Sequence, residues 1–362
     1  MNMAVKNLDP EHDHEHSEAC MVPGPGMRAV NLALQGGGAH GAFTWGVLDR
    51  LLEDERIAIE GVSATSAGAM NATVLAYGMA VGGRAGAKQA LAAFWRRISE
   101  AAIFTPLQPS FMDRLTNNRS LEWSPAFIAL DVVSRLFSPY QFNPLNLNPL
   151  RDVLTATVDF EALRRVHCPI KLFLSATNVR TGKVKVFDNE EIDADAVLAS
   201  GCLPFLFQAV EIDGEAYWDG GYMGNPAIFP LIYECRTADT IVVHINPLQR
   251  HCLPRTAPEI LNRINEISFN SSLMREMRAI SFVTKLIDEK RIVDDSLKRV
   301  LIHAISSDEI MVELGHASKL NADWAFLSYL HGIGRERADA WLAANFERLG
   351  VESSVDIRAT YF

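Results

Sequence analysis

The sequence predicts an α/β fold, with a mostly parallel sheet carrying helices on both faces. Short apolar runs alternate with longer segments of helical spacing, the pattern that parallel strands joined by crossover helices require. Ala29–Leu34 reads as the first strand and runs into three consecutive glycines, Gly36, Gly37 and Gly38. A second strand over Ile57–Thr65 delivers Ser66 onto a turn between Ala64 and Gly68.

The elements follow in order. Residues 1–27 stand apart, because EHDHEH (Glu11–His16) and VPGPG (Val22–Gly26) describe a solvated tail with at most loose affinity for a divalent metal. Order is expected from Arg28. Ala39–Glu53 and Ala67–Met79 read as helices, and Ala85–Ala101 as a further helix with a basic, aromatic end. Lys171–Ala176 and Lys183–Phe187 form a predicted hairpin closed near Thr181-Gly182. Thr240–Ile245 and Arg299–Ile305 are short apolar runs typical of buried strands. Asp323–Leu330 and Arg335–Leu349 read as two helices packed on the core. The expected organisation is a tail (1–27), an α/β domain (28–306) and a C-terminal helical extension (307–362), with no internal repeat.

Composition narrows the function. A length of 362 residues with 48% hydrophobic and 22% charged content suits an ordinary globular protein. A net charge of −10 argues against nucleic acid and gives no long-range pull towards anionic lipid. Cys20, Cys168, Cys202, Cys235 and Cys252 are scattered without a CxxC pair, which suits a reducing cytoplasm. No basic patch followed by an apolar stretch announces secretion, so a cytoplasmic location is expected. Gly61–Gly83 is uncharged, but its Gly, Ala, Ser, Thr and Asn content reads as a buried helix rather than a membrane span. No cofactor is called for. Metal catalysis has little support, since the His-Cys pairs at 167/168 and 251/252 lack close ligand spacing. Nothing in the pattern specifies an oligomeric state.

The two strand-to-helix junctions carry the chemistry. A glycine loop at a helix N-terminus aims backbone N–H groups at an anion, since glycine permits close approach and the helix end is partially positive. The turn at Ser66 resembles a nucleophile elbow, which exposes a serine hydroxyl above a sheet. Only 30 residues separate Gly36 from Ser66. Together they read as an acyl-transfer site. A rival exists: Gly36, Gly38 and Gly41 also satisfy GxGxxG, with Glu60 about twenty residues on, the outline of a dinucleotide-binding turn. That reading leaves Ser66 unexplained.

Three blocks in order, Gly36-Gly37-Gly38-Ala39-His40-Gly41, Ala64-Thr65-Ser66-Ala67-Gly68 and Asp219-Gly220-Gly221, resemble those of the patatin-like phospholipase family. Ser175–Asp188, Ala199–Val210 and Gly224-Asn225-Pro226 support the resemblance, which covers roughly residues 29–250. It implies a three-layer α/β/α sandwich and hydrolysis of lipid acyl esters by a Ser–Asp dyad without a catalytic histidine. In that scheme Ser66 attacks the ester carbonyl, and Asp219, its pKa raised by poor solvation, accepts the proton. Backbone N–H groups over Gly36, Gly37, Gly38 and Ala39 hold the oxyanion. The partner is then a lipid or other acyl ester, met by peripheral contact with a membrane surface.

Two positions depart from the family pattern. Ala64 stands where the elbow usually has glycine, adding a methyl at a tight crossing. His40 stands where the glycine loop usually carries Arg or Lys, and faces either a polar headgroup or a structural partner of the loop. Three further readings remain open on the sequence alone. His244 completes a Ser…Asp…His order, Asp219 is only a turn aspartate before two glycines, or the chain is a non-catalytic lipid-binding or scaffold member of the fold. The aromatic and proline-rich stretch Phe104–Phe142 reads either as a lid or acyl-chain channel, or as a helical excursion that completes the core.

Overall fold

The computed structural model describes residues 24, 26–103, 121, 124–165, 168–291 and 297–362. Nearly all of the N-terminal tail and the aromatic run from Phe104 to Ser120 lie outside the described residues.

Strand β1 (Arg28–Leu34) leads through a 3-10 turn (Gly38–His40) into α1 (Gly41–Glu53). Strand β2 (Ile57–Ala64) leads into α2 (Ala67–Ala102). Helices α3 (Pro125–Leu136), α4 (Pro139–Phe142), α5 (Pro149–Thr157) and α6 (Phe160–Arg165) then reach β3 (Lys171–Asn178). An antiparallel part follows, with β4 (Val184–Phe187), α7 (Ala194–Ser200), β5 (Val210–Ile212) and β6 (Glu215–Asp219). Helix α8 (Phe229–Glu234), β7 (Asp239–Val243), α9 (Ala257–Asp288) and β8 (Leu301–Ile305) complete the sheet. Short α10 (Asp308–Met311), long α11 (Trp324–Asn345) and short α12 (Ile357–Tyr361) end the chain.

The sheet runs β5-β6-β3-β2-β1-β7-β8, with β4 pairing off β3. The β3-β2-β1-β7-β8 stretch is parallel, and β4, β5 and β6 add antiparallel pairs at one side. Alternation along the strands builds two cores. Val30, Leu32 and Leu34 of β1 join Leu172, Leu174, Ile241 and Val243 on the face packed by α1, α2 and α11. Ala33, Phe173, Val242 and Ile302 turn to the opposite face, against Leu231, Leu273, Met277 and Tyr361 of α8, α9 and α12. Successive strand residues face opposite ways, so each strand serves both layers. The mostly parallel sheet flanked by helices is the fold class expected.

Local chemistry explains the element ends. Asn148 caps α5 by accepting the Leu150 N–H, and Pro149 sits in the first turn, where its missing N–H costs nothing. Thr256 and Glu259 form a reciprocal capping box at the start of α9. Helix α2 has two arms, because Gly82 and Gly83 leave helical geometry; the two helices expected there are these arms. The hairpin from β3 to β4 turns through Gly182 at φ +66°.

The C-terminal segment differs from expectation. Two helices separated near His331–Gly334 are in fact one, α11, and Gly334 marks a contact rather than a break. A Cβ on Gly334 would lie 2.1 Å from the Phe43 carbonyl oxygen, and one on Gly46 would lie 2.0 Å from that of His331. Helices α1 and α11 therefore cross almost backbone to backbone, an approach that only glycine allows. Helix α9 has no counterpart among the expected elements. Its buried face (Asn262, Glu266, Asn270, Leu273, Met277, Ile280) keeps helical spacing but is half polar, so no continuous apolar stripe announces it.

Candidate active site

The parallel strands end together, and the loops beyond their carboxyl ends hold the predicted residues, the usual location of sites in open α/β sheets. Ser66 lies between β2 and α2 at φ 55°, ψ −122°, a conformation costly for any residue but glycine and characteristic of a nucleophile elbow. Hydrogen bonds hold the turn there. The Thr65 N–H donates to the Leu34 carbonyl (3.2 Å) and the Gly68 N–H to the Thr65 carbonyl (2.8 Å). The Ser66 N–H donates to Ser200 Oγ (2.9 Å), whose own hydroxyl donates to the Ser175 carbonyl (2.7 Å). Ala64, fully buried, closes β2 in register with Leu34 and Leu174, so its methyl is absorbed into the sheet without breaking the pairing.

Asp219 ends β6, opposite Ala176 of β3, and is wholly buried. Its Oδ1 accepts the Gly221 N–H at 2.7 Å, which ties the DGG turn together. Its Oδ2 has no hydrogen-bond partner among the described residues. Burial pushes the Asp219 pKa up to about 6, against the opposing pull of the Gly221 amide, the Ser66 hydroxyl and the charge of Lys319. Ser66 and Asp219 are thus neighbours, although their contact falls short of full hydrogen-bond geometry. Such contacts commonly tighten only when substrate is bound. Gly220 is required for the approach, since a Cβ there would sit 2.1 Å from the Ser175 carbonyl oxygen.

The glycine loop passes beside Ser66. A Cβ on Gly36 would meet Ser66 Cβ at 2.6 Å and the Thr65 carbonyl at 3.0 Å. Gly36→Ala should therefore push the loop off the elbow, costing about 1–3 kcal/mol of stability and most of any activity. Urea unfolding and ester turnover measured together check this, and an unperturbed variant would show that the loop has slack.

The Gly36 N–H is already donated to Asn225 Oδ1 at 2.7 Å, which corrects its expected place among the oxyanion donors. The Gly37 and Gly38 amides donate to no acceptor among the described residues. His40 turns away from Ser66. Its Nε2 lies 2.7 Å from Ser318 Oγ, its ring meets Phe326 edge-on, and burial holds it well below the usual histidine pKa. It is a neutral structural partner of the loop.

Beneath the loop lies a polar network that no sequence motif announces. Gln35 Oε1 accepts the N–H groups of Ile245 and Asn246 (both 3.1 Å), and its Nε2 donates to Asn270 Oδ1 (2.9 Å). Asn246 Nδ2 donates to the Gly36 carbonyl at 2.7 Å, and Lys319 Nζ donates to Asn246 Oδ1 at 2.9 Å. These partners are up to 235 residues apart in sequence, beyond the reach of any local pattern.

Two rival readings lose their residues to structural duties. His244 Nε2 bonds Tyr361 Oη at 2.8 Å, and burial alone lowers its pKa to about 4. Glu60 accepts the backbone N–H groups of Arg236 (2.6 Å) and Thr237 (2.8 Å), so it is committed to a turn rather than turned to a ribose. No cluster of His, Cys, Asp and Glu able to hold a metal exists among the described residues. No helix among them is long and apolar enough to cross a membrane.

Comparison with known proteins identifies the family. The family model for patatin-like phospholipase matches residues 32–232, more than half of the chain, and the chain belongs to that family. Membership supports lipid hydrolase activity in general terms. Among solved structures, the chain is similar to VipD from Legionella pneumophila, at 17% identity over 89% of this chain and 68% of that one, with a TM-score of 0.42. It is also similar to full-length ExoU in complex with SpcU, from the type III secretion system of Pseudomonas aeruginosa, at 16% identity over 87% of this chain. There the TM-score is 0.28, and the alignment spans about half, 53%, of that chain. A comparison with curated proteins returned no match.

Proposed function

We propose that the protein cleaves carboxylic esters of lipids through a Ser66–Asp219 dyad and an acyl-enzyme, as a phospholipase A, lysophospholipase or esterase. The observation that carries this reading is the buried, unpartnered Oδ2 of Asp219 beside a serine on a strained elbow. An ordinary exposed aspartate is too weak a base at neutral pH; a carboxylate raised to about 6 suits proton abstraction far better. Ser66 attacks the ester carbonyl while Asp219 takes its proton. The oxyanion is held by the amides of Gly37, Gly38 and Ala39 at the start of α1. Collapse expels the alcohol, which receives the proton from Asp219, and a water activated by the same carboxylate releases the fatty acid.

An apolar cavity of about 610 Å³ offers room for the acyl chain. Leu136, Phe137, Pro139, Phe205, Trp218 and Tyr222 line it, and Tyr222 lies close enough to Asp219 for the carboxylate to help raise the phenol pKa. Helix α3 contributes no buried residue and exposes Ile128, Val132 and Leu136, which is how a cover over an acyl channel would look. The protein would work at a lipid surface from the aqueous side.

The test is fatty-acid release from p-nitrophenyl esters and phosphatidylcholine vesicles across pH. Asp219 must be ionised to accept a proton. Activity is therefore expected to fall as pH drops through about 6. A folded protein that releases no fatty acid from either substrate would defeat the reading, and a flat profile from pH 5 to 8 would remove Asp219 as base.

A further inference from the structure

The glycine loop brings no positive charge of its own to the site, since His40 is neutral and faces Ser318 and Phe326. A cation arrives instead from the far end of the chain. The 3-10 turn His316–Leu320, between α10 and α11, packs directly on the 3-10 turn Gly38–His40. Gly38 is at φ +60°, and a Cβ on it would lie 2.4 Å from the Lys319 carbonyl oxygen, so the two backbones are in contact. From there the half-buried Lys319 side chain runs under the loop to Asn246 Oδ1 at 2.9 Å, and Asn246 in turn holds the Gly36 carbonyl at 2.7 Å.

We infer that Lys319 is a positioning residue for the proposed acyl transfer, fixing the glycine loop through Asn246 and keeping one positive charge beside the anionic chemistry of Ser66 and Asp219. The inference rests on the dyad reading.

The charges around Lys319 are consistent with that task. Asp219, Glu266, Arg250, His40 and His316 all face it. Glu266 is shared with Arg250 and Arg263, so Lys319 does not have that carboxylate to itself. Arg250 stays charged throughout, and burial keeps both histidines below the working range, His316 at about 4. Burial lowers Lys319 itself to about 8. Its proton is therefore lost where activity is measurable. The other groups near Asp219, Cys202 and Tyr222, are pushed up to about 12 and do not titrate there.

The signs follow. Protonated Lys319 favours ionised Asp219 and the oxyanion, so activity has an alkaline limb near pH 8 and an acid limb near 6. Lys319→Met should cut kcat about 10- to 100-fold on a neutral short-chain p-nitrophenyl ester, with little change in KM. It should also abolish the alkaline limb and shift the acid limb upward, because Asp219 loses a stabilising charge. Lys319→Arg keeps the charge at every pH tested and should recover most of the lost kcat while moving the alkaline limb beyond pH 9 or so. Circular dichroism melts establish that each variant is folded.

Equal losses in the Met and Arg variants with both limbs unmoved would reduce Lys319 to packing and overturn the inference. It is overturned as well if Lys319→Met misfolds while folded Lys319→Arg retains the wild-type alkaline limb. Failure of the dyad shows differently: the wild-type protein would then take no fluorophosphonate label at Ser66, and both readings fall together.

Discussion

Ser66→Ala is expected to lower p-nitrophenyl ester turnover by about five to six orders of magnitude, the cost of removing a nucleophile that acts as part of a unit. That corresponds to about 7–8 kcal/mol of transition-state stabilisation. The fold should persist. Ser66 holds its turn through backbone groups, its N–H on Ser200 Oγ and its carbonyl on the Met70 N–H, and alanine keeps both. The strained φ of 55° is imposed by β2 and α2, so alanine inherits the strain without adding to it. An unchanged melting temperature alongside lost turnover separates a missing nucleophile from a damaged scaffold. Retained turnover would move the nucleophile elsewhere.

The second large effect divides dyad from triad. Asp219→Asn should cost about three to four orders of magnitude in kcat, because an amide accepts no proton from Ser66 at neutral pH. His244→Ala should leave turnover within a few-fold of wild type, its imidazole being bonded to Tyr361 and already neutral. That substitution should cost stability instead, about 1–3 kcal/mol, by orphaning the buried Tyr361 hydroxyl.

Asp219→Asn should do the reverse. A carboxyl raised from 3.8 to about 6 by burial binds its proton more tightly in the folded state than in the unfolded one. The wild-type protein is therefore destabilised as pH rises from about 4 to 6, by about 3 kcal/mol once the group is fully ionised. Asparagine escapes that penalty and still accepts the Gly221 N–H. Its melting temperature should exceed that of wild type at pH 8, with the advantage vanishing towards pH 4. An inactive yet stabilised variant would mark Asp219 as a group held at the expense of the fold.

The parts of the site legible in the sequence are those written within a few residues. The run of glycines after an apolar strand, Ser66 on its small-residue turn, and Asp219 before two glycines each carry a local geometric demand. Strands β1, β2, β3, β7 and β8 were legible for the same reason, since burial on both faces leaves unbroken apolar runs such as Ile241–Val243, whereas the short, half-exposed β5 and β6 have no counterpart among the expected elements. What was hidden depends on distant partners. Gly334, between the two helices expected there, shows its purpose only when α1 is packed against it. Helix α9 hides because only the second half of its buried face (Leu273, Met277, Ile280) is apolar, while Glu266 and Asn270 of the first half serve polar networks. The duties of His40, His244 and Glu60 are set by Ser318, Tyr361 and Arg236, residues far away in sequence. Lys319 stood in no recognised block, and only the folding of the C-terminal segment onto the glycine loop gives it a place.

One serine, on the elbow after β2, is proposed as the group that attacks an ester. Labelling the purified protein with a fluorophosphonate, digesting it with trypsin and fragmenting the peptides by mass spectrometry tests this most directly. The Ile57–Arg84 peptide carries Ser63 as well as Ser66, so fragment ions must separate them. Ser63 is buried, with its hydroxyl donated to the Ala227 carbonyl, and should stay unmodified. A single phosphonyl adduct on Ser66, lost in Ser66→Ala, is expected. An adduct on any other residue, or none on a folded wild-type protein, would contradict it.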